Sequence, residues 1–487
     1  MTLPSASQWH VPPPLPWKPL LTAAQLRRGL SFYGSGARIE RVAARLLAGQ
    51  PITAVTVGGS VTRGAGASKV SKQYPEMFFQ DHVLLNKGIG GTTSGIFSVC
   101  AEALVPEDVD LVVVEFTFNE SPDLPYTTAN RRGFEQLLRK LLRMRRAPAV
   151  IMLHHYAWYF SDGDGVEAGL FYRPAEAQLG TMAQFYDMPS PSVRNALYAS
   201  MQADLEPYRV GRVHKGGMTT ARGNRIRVAG AKIRHRYYYD DDIHPSDTGH
   251  QVMAELLAGV VLTAAQSVLA GRSEANGTAL RAALIEAAEP DGPAAAATPL
   301  PPPMIPGNAE NPTTLCAMQE DFQPMAHKLQ GFRYKAERPR ARTFVEQKWG
   351  YTGERAGAWM ELQVGTEESP GSRGEATVHL GYLKSYLGMG AAVAECKVGC
   401  TCKRSLMDGL WNATVSLIQM HSFQVTQHPS CLIRVTIIER TAEMPGGLKP
   451  AGGGYKFQLN AIMVAHTPLV LTTYFQQAED FADKVAA

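Results

Sequence analysis

The sequence has no run of about 20 consecutive apolar residues, the length that a membrane-spanning helix needs. The nearest approach, Val252 to Leu269, is interrupted by Glu255 and Gln266 and reads as an amphipathic core helix. The first 30 residues lack a basic start followed by an apolar stretch, so no signal peptide is expected there. No internal repeat is visible, which excludes a solenoid or propeller. Charge of one sign is also scarce: 48 Lys and Arg against 44 Asp and Glu leave +4 over 487 residues. The basic residues read as scattered, with one modest cluster from Arg139 to Arg146 at the end of a helical pattern, where cations suit the dipole. Nucleic acid is therefore not an expected partner. At 45% hydrophobic and 19% charged, the chain is of ordinary globular composition and long enough for two cores.

Cysteine is sparse and unevenly placed. Cys100 lies in an apolar, helix-like run and reads as a buried thiol, whereas Cys316, Cys396, Cys400, Cys402 and Cys431 all fall in the last third. Cys396-x3-Cys400-x-Cys402 lacks the second paired half of a usual zinc site. Disulfides among Cys396, Cys400, Cys402 and Cys431 are the expectation, with zinc or free thiols as alternatives. Together with sequons at Asn276 and Asn412 they favour the secretory pathway or the extracellular space, although no signal peptide is seen.

What is present begins with residues 1–34, a Pro-rich segment and lead-in helix; Leu21 to Gln50 reads as helix broken around Tyr33–Gly36. Ile52-Thr-Ala-Val-Thr-Val57 reads as a buried strand that stops at Gly58-Gly59 and delivers Ser60 into a tight turn. Gln73 to Leu85 reads as a helix, and Asn86 to Ser94 as a second Gly-rich turn opening another. Val109 to Phe116 and Ala149 to Tyr156 are nearly continuous apolar runs, as strands buried on both faces require, with a helix over 130–146 between them. Strands alternating with helices predict an α/β domain with a parallel, doubly wound sheet over 35–285. Residues 157–240 read as an irregular, aromatic insertion beside the cleft. A Pro/Ala-rich linker spans 286–312, and short alternating runs over 313–475 predict an antiparallel β-sandwich or jelly roll before a tail at 476–487.

Hydrolysis of an ester at neutral pH needs a nucleophile, a base, a carboxylate to orient that base, and donors for the developing oxyanion. Ser60, His244, Asp241, and the pair Gly91 and Asn119 stand at strand ends and turns where they could supply these parts. The order of blocks resembles the SGNH (GDSL-type) hydrolase superfamily: a serine block, a glycine block, an asparagine block and a terminal Asp-x-x-His-Pro. The resemblance covers roughly residues 35–270. It implies a flavodoxin-like α/β/α domain with Ser60 as nucleophile, His244 as base, Asp241 orienting it, and oxyanion donors from the Ser60 N–H, Gly91 and Asn119. Two departures stand out: Gly59 replaces the usual aspartate before the serine, and Thr117 and Glu120 replace the Gly and Asp around Asn119. Asp240 and Asp242 read as a solvated acidic turn. His154 and His155, at a strand end, and Trp158, beside Tyr159 and Phe160, are candidates for substrate contact, with core packing as the alternative. His250 reads as a packing residue at the start of the last helix.

The C-terminal part resembles the cysteine-bearing β domain that follows SGNH domains in some algal and plant proteins, which implies either glycan positioning or a structural role. The reading is a two-domain serine carboxylic-ester hydrolase that removes O-acyl groups from a small ester or acylated carbohydrate. It needs no cofactor and no metal. A polysaccharide O-acetyltransferase using the same residues and a non-catalytic glycan-binding protein are the rivals. Because every proposed reacting group precedes residue 250, the N-terminal part alone is expected to act on small esters.

Overall fold

A computed structural model of the chain describes residues 17–79, 82–160, 169–172, 174–220, 222–270, 272, 277–289, 300–310, 313–336, 348–411, 416–442, 444, 447 and 453–466. Asn276 and Asn412, the strand expected at Thr343 to Lys348 save for its last residue, linker residues 290–299 and 311–312, the first 16 residues and the tail lie outside them. The chain divides into two compact units. The first is Met1–Gly90, Val105–Leu124 and Leu138–Asn308; the second is Gly91–Leu104, Pro125–Leu137 and Ala309–Ala487.

In chain order the first half contains α1 (Ala23–Gly29), β1 (Leu30–Phe32), α2 (Ala37–Leu47), β2 (Thr53–Gly58), α3 (Ser60–Arg63), α4 (Tyr74–Phe78), β3 (Val83–Asn86), α5 (Ser94–Leu104), β4 (Leu111–Glu115), α6 (Ala129–Leu142) and β5 (Ala149–Met152). It continues with α7 (Glu176–Phe185), β6 (Ser190–Pro191), α8 (Val193–Gln202), α9 (Asp247–Ala270) and α10 (Gly277–Ala288). The parallel sheet has the order β3-β2-β4-β5, with Gly58 opposite Glu115. Order reverses between β2 and β4, so the turns after these two strands meet at the switch point where such sheets bind ligands. All five residues of β4 are buried, as its unbroken apolar run requires. Leu111 and Val113 of β4 share one core with Ile39 and Val42 of α2 and with Val252 and Leu256 of α9. Among the described helices only α9 is long and apolar enough to cross a membrane, and most of its apolar side chains are spent on this core.

The helix expected over 73–85 is not formed. Pro75 stands in the first turn of a helix of only five residues, and Val83 to Asn86 then pair with Thr53 to Thr56 as edge strand β3. A partly buried strand of four residues carries too short a pattern to be told from the last turn of a helix.

The second unit contains β7 (Thr313–Met318), β8 (Ala326–Gln330), β9 (Phe332–Ala336), β10 (Trp349–Gly353), β11 (Trp359–Val364), β12 (Glu375–Lys384), β13 (Ala391–Val398), β14 (Ser405–Asp408), β15 (Leu417–Thr426), β16 (Cys431–Ile438) and β17 (Phe457–Ala465). They form two antiparallel sheets, β15-β12-β17-β10-β9 with β7 paired to β17, and β14-β13-β16-β11-β8. Alternate residues of β16 (Cys431, Ile433, Val435, Ile437) share a core with Val378, Leu380, Phe457 and Leu459 of the other sheet, the packing of a sandwich. Strand β17 is instead buried at all nine residues. Helix α5 lies against β7 and β17 and helps to cover this part of the sheet.

Cys396 is bonded to Cys402 and Cys400 to Cys431. Cys100 corrects the reading of a buried free thiol: it joins α5 to β7 through Cys316, with a sequence separation of 216.

Candidate active site

Ser60 follows the carboxyl end of β2 and opens the single turn of α3. Its Oγ lies 2.7 Å from His244 Nε2, and His244 Nδ1 lies 2.7 Å from Asp241 Oδ2. The Asp241–His244 turn is closed by its own carboxylate, whose Oδ1 accepts the Ile243 N–H at 2.9 Å and the His244 N–H at 2.6 Å. Burial alone would raise the Asp241 carboxyl, but its bond to His244, the charge of that ring and the two backbone donors hold it below its ordinary value. An ionised Asp241 keeps the proton on Nδ1, so Nε2 is left to accept from Ser60. Gly66, with φ of 93°, lets the turn after the serine run against this loop, because a Cβ there would lie 2.1 Å from the Pro245 carbonyl oxygen.

Asn119 sits in the turn after β4 and is 5% exposed. A Cβ on Gly59 would fall 2.4–2.7 Å from the Asn119 side-chain amide, so that departure has a steric reason: an aspartate at 59 would displace the amide. Asn119 Nδ2 is buried and donates to nothing among the described residues. An unsatisfied buried donor costs about 1–3 kcal/mol, so one held against Gly59, the residue before Ser60, calls for an explanation. Gly91 takes a φ of 70° at the head of the segment that joins the second unit.

His154 and His155 are both placed beneath the surface, with 0% and 1% exposure. His154 bridges Thr117 Oγ1 and Ser190 Oγ, each at 2.8 Å, and so holds the turn that carries Asn119. His155 Nε2 donates to the Ile243 carbonyl at 2.9 Å and so holds the loop that carries His244. Burial pushes both rings down to about 3, which keeps them neutral. Consecutive residues after β5 therefore brace the two loops on which the site depends. Trp158 is buried too, with its backbone N–H donating to the Tyr239 hydroxyl at 3.0 Å and its ring packed on Tyr156 and Tyr198. His250 ties α9 to the turn after Ser60 through the Ala65 carbonyl at 3.0 Å. Asp240 is buried and paired with Lys215 at 2.5 Å, rather than solvated. A brace that sequence reasoning missed is Asn86, whose amide donates to the Thr62 carbonyl at 2.9 Å. Its place at the head of the glycine block was the available signal.

Beneath α3, Thr62 Oγ1 lies 3.2 Å from the Glu115 carboxylate and 3.0 Å from the Tyr74 hydroxyl. Burial pushes Glu115 up to about 8, against a bond from Thr62 that favours its charge. The folded chain thus keeps a proton that the unfolded chain releases between about pH 4.5 and 8. Stability from this group is complete below that window and lost as pH rises through it. The buried histidines act oppositely: His154, His155 and His379 near 3, and His250 and His421 near 4, take up protons on unfolding below their ordinary 6.5. Glu115→Gln should gain stability relative to the parent by about 1.4 kcal/mol per pH unit as pH rises through the window from about 4.5 to 8. Thermal melts of both proteins from pH 5 to 8 check this, and a difference that does not change with pH would show that Glu115 is ionised when folded.

No protein-family model matches the chain, and neither does any curated protein sequence. Among solved structures the chain is similar to a two-domain esterase (CEX) active on acetylated mannans, co-crystallised with mannopentaose. The identity is 20% and the TM-score 0.56, over 91% of this chain and 98% of that one. A second structure of such an esterase gives a TM-score of 0.55 at 20% identity, over 90% and 98%. The chain thus shares the fold of these two-domain proteins, an α/β domain with a parallel sheet and a second, antiparallel β domain.

Proposed function

We propose that the protein is a serine esterase that removes O-acyl groups, acetyl above all, from a polysaccharide. The observation that carries this reading is the continuous hydrogen-bonded chain from Ser60 Oγ through His244 to Asp241. His244 Nε2 takes the Ser60 proton as Oγ attacks the acyl carbon, and Asp241 stabilises the resulting imidazolium. The oxyanion receives the Asn119 amide, together with the N–H groups of Ser60 and Gly91. His244 then protonates the leaving sugar oxygen, and water, deprotonated by the same nitrogen, releases the acid from Ser60. A two-domain esterase of the same fold acts on acetylated mannans, which supports an acylated glycan as the substrate class.

Incubation with an O-acetylated polysaccharide should release free acetate in water, and a fluorophosphonate should label the peptide containing Ser60. Acetate transferred only when an acceptor sugar is supplied would replace hydrolase by acetyltransferase. Neither label nor acetyl loss would leave a glycan-binding protein on a hydrolase scaffold.

A further inference from the structure

The net charge of +4 conceals an uneven distribution. Between Pro207 and Tyr239 stand nine Lys and Arg and no carboxylate, so the rest of the chain nets −5. Their spacing never makes a run, but the fold gathers them. Val213 bridges Val228 and Thr219 bridges Arg225, while Val213, Ile226 and Ala229 turn inward. The flanking Arg225 and Arg227 are consequently both exposed, as alternation about a buried Ile226 demands. Three of the nine are committed to carboxylates: Arg209 to Asp204 and Glu206, Arg236 to Glu206, and Lys215 to Asp240. Arg212, Arg225, Arg227, Lys232 and Arg234 form no ion pair among the described residues. The segment is fastened to the site itself, since the N–H groups of His214 and Lys215 donate to the carbonyl of Asp240, the residue before Asp241.

We infer that this basic face binds the anionic groups of a polysaccharide, so that the chain presented to Ser60 carries carboxylates or sulfates along its length. The inference rests on the esterase reading and narrows its substrate class. Guanidinium groups pair with either anion through two parallel hydrogen bonds, and their summed field draws a charged polymer toward the adjoining site. A nucleic-acid single strand would look for aromatic side chains to stack on, yet Tyr208, Tyr237, Tyr238 and Tyr239 of this segment are all buried. A membrane surface would look for apolar side chains to insert, and Val228 is the segment's one exposed large apolar residue among those described.

The test compares the full chain with its Arg225→Gln/Arg227→Gln/Arg234→Gln variant by calorimetry, using polygalacturonate, neutral galactomannan, duplex DNA and phosphatidylserine vesicles. The parent should bind polygalacturonate in preference to the other three, with affinity falling steeply as salt rises. The variant should bind it about tenfold more weakly or worse, and should hydrolyse p-nitrophenyl acetate at the parent rate. Unchanged affinity in the variant, equal binding of galactomannan, or tighter binding of DNA or vesicles would overturn the inference. Because binding is read without turnover, a parent that binds polygalacturonate but hydrolyses no ester would overturn the hydrolase reading alone.

Discussion

Ser60→Ala is expected to lower the hydrolysis of p-nitrophenyl acetate by about 10³-fold or more, with the melting temperature nearly unchanged. The hydroxyl is the group that His244 Nε2 contacts at 2.7 Å, and its loss leaves the base with no nucleophile to activate. The turn should survive without it. Asn86 holds the Thr62 carbonyl, Thr62 is bonded to Tyr74 and Glu115, and none of these contacts uses Oγ of Ser60. His244→Ala should be about as severe, and the double variant hardly worse than either, because the two side chains act as one unit. Asn119→Ala should lower kcat by about 10²–10³ with little change in KM, since the Nδ2 donor has no partner among the described residues. Steady-state kinetics on the purified variants decide the matter. A Ser60→Ala protein that keeps more than about a tenth of parental activity would require another nucleophile.

The parts of this site that could be read from sequence are those whose chemistry is local. β2 and β4 are buried runs ending in turns that carry Ser60 and Asn119, and Asp241 reaches His244 across three residues. What could not be read depends on neighbours far apart in the chain. Gly59 looks like a lost aspartate until the Asn119 amide is found lying against it, 60 residues on. His154 and His155 invite a substrate role because strand ends usually face the cleft. Their actual partners, Thr117, Ser190 and Ile243, come from three other segments. The basic face escapes a search for charge runs because its cations are spaced apart along a segment that folds back on itself through the bridges at Arg209, Val213 and Thr219. Cys100 and Cys316 are 216 residues apart, and no spacing rule links them.

That last pairing changes what is expected of a chain cut at Ala288. The linker reading promises a self-sufficient hydrolase, because every proposed reacting residue precedes 250. Yet Ser94 to Ala101 of α5 are buried, and the helix lies on β7 and β17, both of which the cut removes. Ile96, Phe97 and Val99 are buried on this helix, and each apolar side chain that the cut fully exposes costs about 1.5–3 kcal/mol. The closed loop between Cys100 and Cys316 would go as well, a further loss of up to about 5 kcal/mol on the chain-entropy account. These losses rival the whole stability of a typical domain. They also fall between Gly91 and β4, in the stretch of chain that separates the serine turn from the asparagine turn. The cut chain should therefore aggregate or unfold, and hydrolyse neither small nor polymeric esters. Full-length Cys100→Ser isolates the covalent part: it should stay active at 25 °C but melt at a lower temperature. Circular dichroism, size-exclusion chromatography and p-nitrophenyl acetate turnover on both proteins distinguish the cases. A folded, monomeric 1–288 chain with parental activity would show that α5 needs neither its disulfide nor the β-sandwich to hold the glycine block in place.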